Sequence, residues 1–361
     1  MRAVIACGGT GGHLFPGLAV AEVLRDRGHE VLLLVSEKEI DTIALREHPG
    51  FESRRLKGIG MPALFSLRFL KFIGCGLQDI QRCRSWYSAY KPDIVLGMGG
   101  FTSTAPLIAA SLSGIPGMVH ESNAIPGKAN RLNARFSRKI LLGFEECARF
   151  FSREKCVITG TPVRASMKEK VDRAAVFETF RMEPGRPVLL VMGGSQGAHG
   201  INTAMARAAA DLDGNAIQII HFTGGGDERM MVECYKMAGI RAYVTDFHHR
   251  MQDAYAVADV ALSRAGASSV TELSWFGIPA VLVPYPHAAE DHQTRNAEIF
   301  QKAGAAILLP EEECSPDVLS ALIKKALSDS QRTAMKSAML SLAPKDAAAH
   351  VANLMEETCR K

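Results

Sequence analysis

The sequence predicts an α/β protein of two doubly wound units, each a parallel sheet with helices on both faces. Three observations carry this. A short apolar strand (3–7), a glycine turn (Gly8-Gly9-Thr10-Gly11-Gly12-His13) and an amphipathic helix (17–27) follow one another, the order in which a parallel sheet with crossover helices is written. The same order restarts with a strand at 188–192, the turn Gly193-Gly194-Ser195-Gln196-Gly197 and a helix over 198–212. Finally, 361 residues exceed the size at which one core usually keeps growing.

The remaining elements fill in this pattern. Apolar runs at 30–35, 93–97, 117–120 and 139–142 read as strands of the first unit. The stretches SGIPGMVHE (113–121) and FGIPAVLVPY (276–285) each read as a helix end, a Gly-Ile-Pro connector and a strand. Their offset differs from that of the glycine turns, so the halves share a topology with different insertions rather than a tandem repeat. A polar, charged stretch near 161–171 marks the boundary, giving a first domain at 1–162 and a second at 163–344. A helix over 346–360 closes the chain, and its periodicity does not say which half it joins.

Apolar content of 47% with 22% charged residues excludes a disordered or fibrous chain. The eight cysteines show neither a CxxC pair nor a zinc-like Cys/His spacing, which points to a reducing compartment and no structural metal. MRAVIACGGTGG runs directly into strand and turn, leaving no room for a signal peptide. A cytosolic protein is expected. No apolar stretch reaches the roughly 18 to 20 residues of a membrane-spanning helix. Charge is uneven: residues 1–162 carry 21 lysines and arginines against 14 acids, and 54–91 alone hold eight basic residues against Asp79. Within that patch the run 61–74 is apolar nearly all round, suited either to an anionic lipid surface or to burial with snorkelling cations. No nucleic-acid-binding motif accompanies it.

Several groups stand where a doubly wound fold places chemistry, after the carboxyl ends of strands. The first glycine turn matches neither the spaced dinucleotide fingerprint nor a P-loop, so a standard NAD enzyme or ATPase is disfavoured. It reads as a tight turn or an anion-facing loop. His13, at the start of its helix, would serve as a cap or as a base accepting a hydroxyl proton. Gly193 to Gly197, with the Ser195 hydroxyl, is the better place for a diphosphate leaving group. Arg264-Ala-Gly-Ala-Ser-Ser-Val-Thr-Glu272 repeats the arrangement, with Glu272 placed for ribose hydroxyls or on a solvated face. Arg164 would pair with phosphate or uracil, or lie on the surface. His120-Glu121-Ser122-Asn123 follows one strand, and His292-Gln293 with Asn296 follows another.

Taken together, GGTGGHLFPGLAVAEVL, YKPDIVLGMGGFTS, HESN, GTPVR, GGSQGAHGIN, VTDFHHRM, SRAGASSVTEL and GIPAVLVPYPHAAEDHQTRNA resemble the MurG family. Its members add N-acetylglucosamine from UDP-GlcNAc to the lipid-linked muramoyl-pentapeptide precursor of peptidoglycan, converting lipid I to lipid II in cell-wall biogenesis. The resemblance implies a GT-B fold, two Rossmann-like domains facing across a cleft, with a C-terminal helix (345–361) crossing back to the first. It implies an inverting transfer that makes a β-1,4 linkage with no metal or other cofactor. Carried over by motif, donor contacts fall on Thr10, Gly11, Gly12, Asn123, Arg164, Ser195, Gln196, Phe247, His248, Ala267, Ser268, Ser269, Glu272, His292 and Gln293. Gly99, Gly100 and Phe101 would face the acceptor, and His13 or Glu121 would be the general base. Implied partners are UDP-GlcNAc, the lipid-linked muramoyl-pentapeptide, an anionic membrane surface through 54–91 and other cell-wall enzymes. The expected place is peripheral, on the cytoplasmic face of the inner membrane.

The sequence departs from the family at three motif positions. Thr161 stands where the connector usually has asparagine, Ser122 where HEQN has glutamine, and His248 where an aliphatic residue is common. A glycolipid synthase of the same fold and a UDP-sugar epimerase are the alternatives in function.

Overall fold

The computed structural model describes residues 1–58, 67–193 and 198–360. The chain forms two compact units, Met1–Ala165 with Pro344–Lys361, and Ser166–Ala343. In the first, strands β1 (Arg2–Ala6), β2 (Glu30–Ser36), β3 (Glu52–Leu56), β4 (Ile94–Gly97), β5 (Gly117–Glu121), β6 (Lys139–Leu142) and β7 (Cys156–Ile158) form one sheet. Their order is β3-β2-β1-β4-β5-β6-β7, and every pair is parallel. Residues 3–6 and 32–35 are fully buried, because helices cover both faces of such a sheet and its central strands need apolar side chains on both sides. At the edge, β3 has the sequence ESRRL and keeps its charges in solvent, which is why apolar patterning does not reveal it.

The helix after the first glycine turn runs from Gly11 to Asp26, six residues earlier than the sequence predicts. Glycines are weak helix formers and read as turn. Burial of Leu14, Leu18, Ala21 and Leu24 against the sheet holds the helix nonetheless. Gly11, Gly12 and His13 therefore make its first turn, with Thr10 extended ahead of it (φ −154°). The last helix, Ala347–Cys359, inserts Ala348, Val351, Ala352 and Met355 into this same core.

In the second unit, strands β8 (Val188–Met192), β9 (Gln218–Phe222), β10 (Arg241–Thr245), β11 (Val260–Ser263), β12 (Ala280–Leu282) and β13 (Ala306–Leu308) follow the order β10-β9-β8-β11-β12-β13, again all parallel. Each sheet reverses direction beside its first strand, between β1 and β4 and between β8 and β11. Doubly wound sheets bind ligands at such switch points, outside the strands' carboxyl ends. The predicted helix 198–212 is His199–Ala208 followed by a tight turn. Among the described residues no helix is long and apolar enough to cross a membrane.

Candidate active-site elements

At the switch point of the first unit, the turn after β1 is fixed from beneath. Asp41, fully buried, accepts hydrogen bonds from the Gly9 amide (3.0 Å), the Ser36 amide (2.7 Å) and the Ser36 hydroxyl (2.6 Å). A Cβ on Gly8 would stand 2.2 Å from the Ser36 nitrogen and 2.6 Å from Asp41 Oδ2, so only glycine lets the turn sit this low. Lys38 Nζ donates to the Gly9 carbonyl at 2.7 Å. Thr10 and Gly12 are left exposed above this support.

His13 projects from the first helical turn toward the end of β4. Gly99 there has φ +109°, and a Cβ on it would lie 2.9 Å from His13 Cε1 and 3.1 Å from Asn130 Nδ2. The imidazole thus rests on the Gly99–Gly100 turn, the two glycines expected from the sequence to face an acceptor. Phe101 continues from it, its ring edge-on to Phe72 at 5.5 Å. Beside Phe101 opens an apolar cavity of about 370 Å³, with Ile73, Leu77, Ile80 and Ile108 in its walls.

Glu121, at the end of β5, is only 2% exposed. Its Oε1 accepts from the Asn123 amide (2.9 Å) and Asn123 Nδ2 (3.0 Å), its Oε2 from the Gly127 amide (3.2 Å) and Asn130 Nδ2 (2.8 Å). Burial pushes its carboxyl upward in pKa, and the four donors pull it back only in part. Both oxygens are thus committed to the 121–130 loop, whereas His13 stands at the turn itself. Asn130 Nδ2 also donates to the His120 carbonyl (3.0 Å). Asn133 Nδ2 reaches Asn130 Oδ1 (3.2 Å) and the Gly100 carbonyl (3.4 Å), closing the ring of contacts. Sequence reading missed Asp41, Asn130 and Asn133; the i, i+3 spacing of the last two on Lys128–Asn133 was the available signal. Arg164 lies in this same unit, its guanidinium 4.2 Å over the Phe15 ring, two residues beyond His13.

In the second unit, β11 leads through Arg264 into the helix Ala267–Phe276. Gly266 caps that helix without a side chain, leaving the amides of Ala267, Ser268 and Ser269 unfilled by any side-chain cap. The Ser268 hydroxyl is buried with no partner among the described residues. Glu272, half-buried, accepts from the Tyr255 hydroxyl at 2.8 Å. Arg264 does not face this opening. It donates to the Val283 (3.2 Å) and Pro284 (3.1 Å) carbonyls and pairs with Glu311, a buried clamp across the loops after β12 and β13.

Gln293 Oε1 accepts from the Tyr285 amide at 3.0 Å, and buried Asn296 donates to the Ala265 carbonyl at 3.1 Å. The helix that begins at His292 therefore buttresses both loop ends. His292 Nδ1 is spent on the Ala289 carbonyl at 2.7 Å. Just before it, Glu290 (φ 55°) and Asp291 (φ 52°) hold left-handed conformations that non-glycine residues rarely adopt. Phe247 is 53% exposed. His248 instead stacks on Phe222 (ring centroids 5.5 Å apart, planes 4° apart), and burial lowers its pKa. Ser195 and Gln196 lie outside the described residues.

Known proteins resemble the chain along its whole length. The glycosyltransferase family 28 N-terminal domain matches residues 3–142 and the glycosyltransferase family 28 C-terminal domain residues 188–352. A UDP-N-acetylglucosamine--N-acetylmuramyl-(pentapeptide) pyrophosphoryl-undecaprenol N-acetylglucosamine transferase of Geobacter sulfurreducens is 38% identical, with all of both chains covered. The crystal structure of Acinetobacter baumannii MurG superposes with a TM-score of 0.78 at 27% identity, covering 99% of each chain. The UDP-GlcNAc 2-epimerase of Neisseria meningitidis reaches a TM-score of 0.70 at 13% identity over 99% of this chain and 100% of its own, a likeness of fold. Two Rossmann-like units of this kind make a GT-B fold, and the chain belongs to glycosyltransferase family 28, among its N-acetylmuramyl-(pentapeptide) pyrophosphoryl-undecaprenol N-acetylglucosamine transferases.

Proposed function

We propose that this protein moves N-acetylglucosamine from UDP-GlcNAc to the 4-hydroxyl of a lipid-linked muramoyl-pentapeptide, with inversion at the anomeric carbon. The observation that carries the mechanism is His13, seated on the Gly99–Gly100 turn at the first switch point. There an imidazole takes the proton of the attacking hydroxyl as the new C–O bond forms. Glu121 is assigned the supporting role, since its carboxylate is consumed by the loop that carries Asn123. UDP departs with the electrons of the old glycosidic bond. The uncapped amides of Ala267 to Ser269 and the Ser268 hydroxyl receive its charge, together with Ser195, Gln196 and Arg164. Glu272 takes the ribose, and the Phe247–His248 backbone the uracil. Thr10, Gly11, Gly12, Asn123, His292 and Gln293 complete the donor contacts, and Gly99, Gly100 and Phe101 face the acceptor.

The lipid end of the acceptor is met by the first unit. Exposed Ile73, Leu77 and Leu112 share their surface with exposed Lys71, Arg82 and Arg84, a mixture suited to peripheral docking on an anionic, cytoplasmic membrane face. Residues 61–66 of the apolar run lie outside the described residues.

The test is a three-armed incubation with sugar-labelled UDP-GlcNAc: no acceptor, diacylglycerol, and a lipid-linked muramoyl-pentapeptide analogue. Labelled product in the third arm alone supports the assignment. Conversion without acceptor would mean an epimerase, and a labelled glycolipid would mean a glycolipid synthase.

A further inference from the structure

Ser122, a departure from the family pattern, touches a buried chain of contacts that ends at Arg164. His120 is fully buried, with Nε2 3.0 Å from the Gly160 carbonyl and Nδ1 3.2 Å from the Ser122 hydroxyl. A carbonyl can only accept, so Nε2 carries the proton and Nδ1 accepts from Ser122. Burial lowers the His120 pKa to about 4, so the ring is neutral and this tautomer is the standing one near neutral pH.

Gly160 is equally confined. It has φ +74°, and a Cβ on it would meet Pro344 Cβ at 2.4 Å. Its carbonyl also receives the Thr159 hydroxyl at 2.9 Å. From there Thr161, Pro162 and Val163, all buried, lead to Arg164. Arg164 Nε is buried with no partner among the described residues, while its guanidinium lies on Phe15.

We propose that Ser122 is a positioning residue for Arg164. The Gly160 carbonyl fixes the tautomer, and the Ser122 hydroxyl, donating to the remaining Nδ1 lone pair, holds the ring in the orientation from which Nε2–H reaches that carbonyl; the carbonyl in turn sets the segment laying Arg164 against Phe15. Without the hydroxyl, Nδ1 is an empty buried acceptor. The ring then keeps its Nε2–H tautomer but loses one of its two anchors, so it can swing away from the Gly160 carbonyl and release the segment. The inference rests on the proposed contact of Arg164 with the nucleoside diphosphate of the donor.

The test is a double-mutant cycle over Ser122→Ala and Arg164→Met, read by KM for UDP-GlcNAc, kcat and the ring 15N shifts of His120. Ser122→Ala is expected to raise that KM about fivefold to tenfold, the worth of one buried hydrogen bond. kcat should fall as well, since Arg164 also receives the charge of departing UDP, and the Nδ1 15N shift of His120 should move with the loss of its donor. Ser122→Thr, which keeps the hydroxyl, should retain the wild-type KM. In the Arg164→Met background Ser122→Ala should add nothing. If Arg164→Met raises KM and Ser122→Ala still adds its full effect, the inference is overturned while the donor reading stands. A wild-type KM in Arg164→Met removes the donor role of Arg164 and this inference with it. Should Ser122→Ala not fold, Ser122→Cys, a weaker donor of similar size, carries the same cycle, and a wild-type KM with a moved His120 Nδ1 shift overturns the proposal.

Discussion

Replacing Glu121 by glutamine separates the two candidate bases, because the structure gives that substitution a calculable effect that is not chemical. Four donors converge on the carboxylate, two on each oxygen. An amide has one oxygen and one NH2, so in either orientation two of those donors face another donor. Hydrogen bonds to a charged group are worth about 1.5 to 3 kcal/mol each, so losing two costs about 3 to 6 kcal/mol. Removing a buried charge returns part of this, consistent with the upward push of burial on the Glu121 pKa. A net loss of about 2 to 4 kcal/mol lowers the melting temperature by roughly 4 to 16 °C for a unit of this size. The assay is differential scanning calorimetry beside steady-state turnover. A Glu121→Gln protein that melts within about 2 °C of wild type, yet loses turnover by about 100-fold or more, would make Glu121 the base and refute the supporting role.

Three further outcomes follow from the geometry. Asp41→Ala removes the one oxygen that accepts from the Gly9 amide, the Ser36 amide and the Ser36 hydroxyl, so KM for the acceptor should rise about tenfold with less change for UDP-GlcNAc, as initial rates against each substrate would show. Glu311→Leu strands buried Arg264 without its partner and should cost about 3 to 5 kcal/mol in denaturant unfolding, most of it recovered in the Arg264→Met/Glu311→Leu double variant. Burial depresses the pKa of His120 to about 4 and of His221 to about 3 from an ordinary 6.5. The unfolded chain therefore binds protons below pH 6.5 that the folded one refuses. The contribution of these two histidines is constant above pH 6.5, and stability falls as pH drops toward 4, by roughly 3 kcal/mol from His120 alone. Thermal melts across pH 4 to 7 check this, and His221→Gln should flatten the slope.

Much of the fold was legible because a buried parallel strand needs apolar residues on both faces, and β1, β2, β4 and β8 are written that way. The polar edge strand β3 was not, since its side chains answer to solvent. The helix boundary at Gly11 was misplaced for a related reason: propensity is local, while the burial that holds Gly11 to His13 in a helix comes from the sheet. Among the candidate site residues, Glu121 ends β5, and His13 and Ala267–Ser269 lie in the first turns of the helices after β1 and β11, positions at which the sequence alone proposes chemistry. The jobs of Glu121 and Arg264 could not be named in this way. Whether a carboxylate or guanidinium faces a substrate or is consumed by its own loops depends on partners such as Asn130 and Glu311, which no spacing announces. Asp41 escaped notice entirely, lying in a helix whose turn it supports from below.

The central claim is that His13 is the base of an N-acetylglucosaminyl transfer, and its most direct test is single-turnover transfer of labelled GlcNAc to the lipid-linked muramoyl-pentapeptide by wild-type and His13→Ala proteins at saturating UDP-GlcNAc. The expected result is a β-1,4-linked product from wild type, and a rate lowered by about 100-fold to 10,000-fold in the variant with UDP affinity little changed. A His13→Ala protein that transfers within about threefold of the wild-type rate would contradict it.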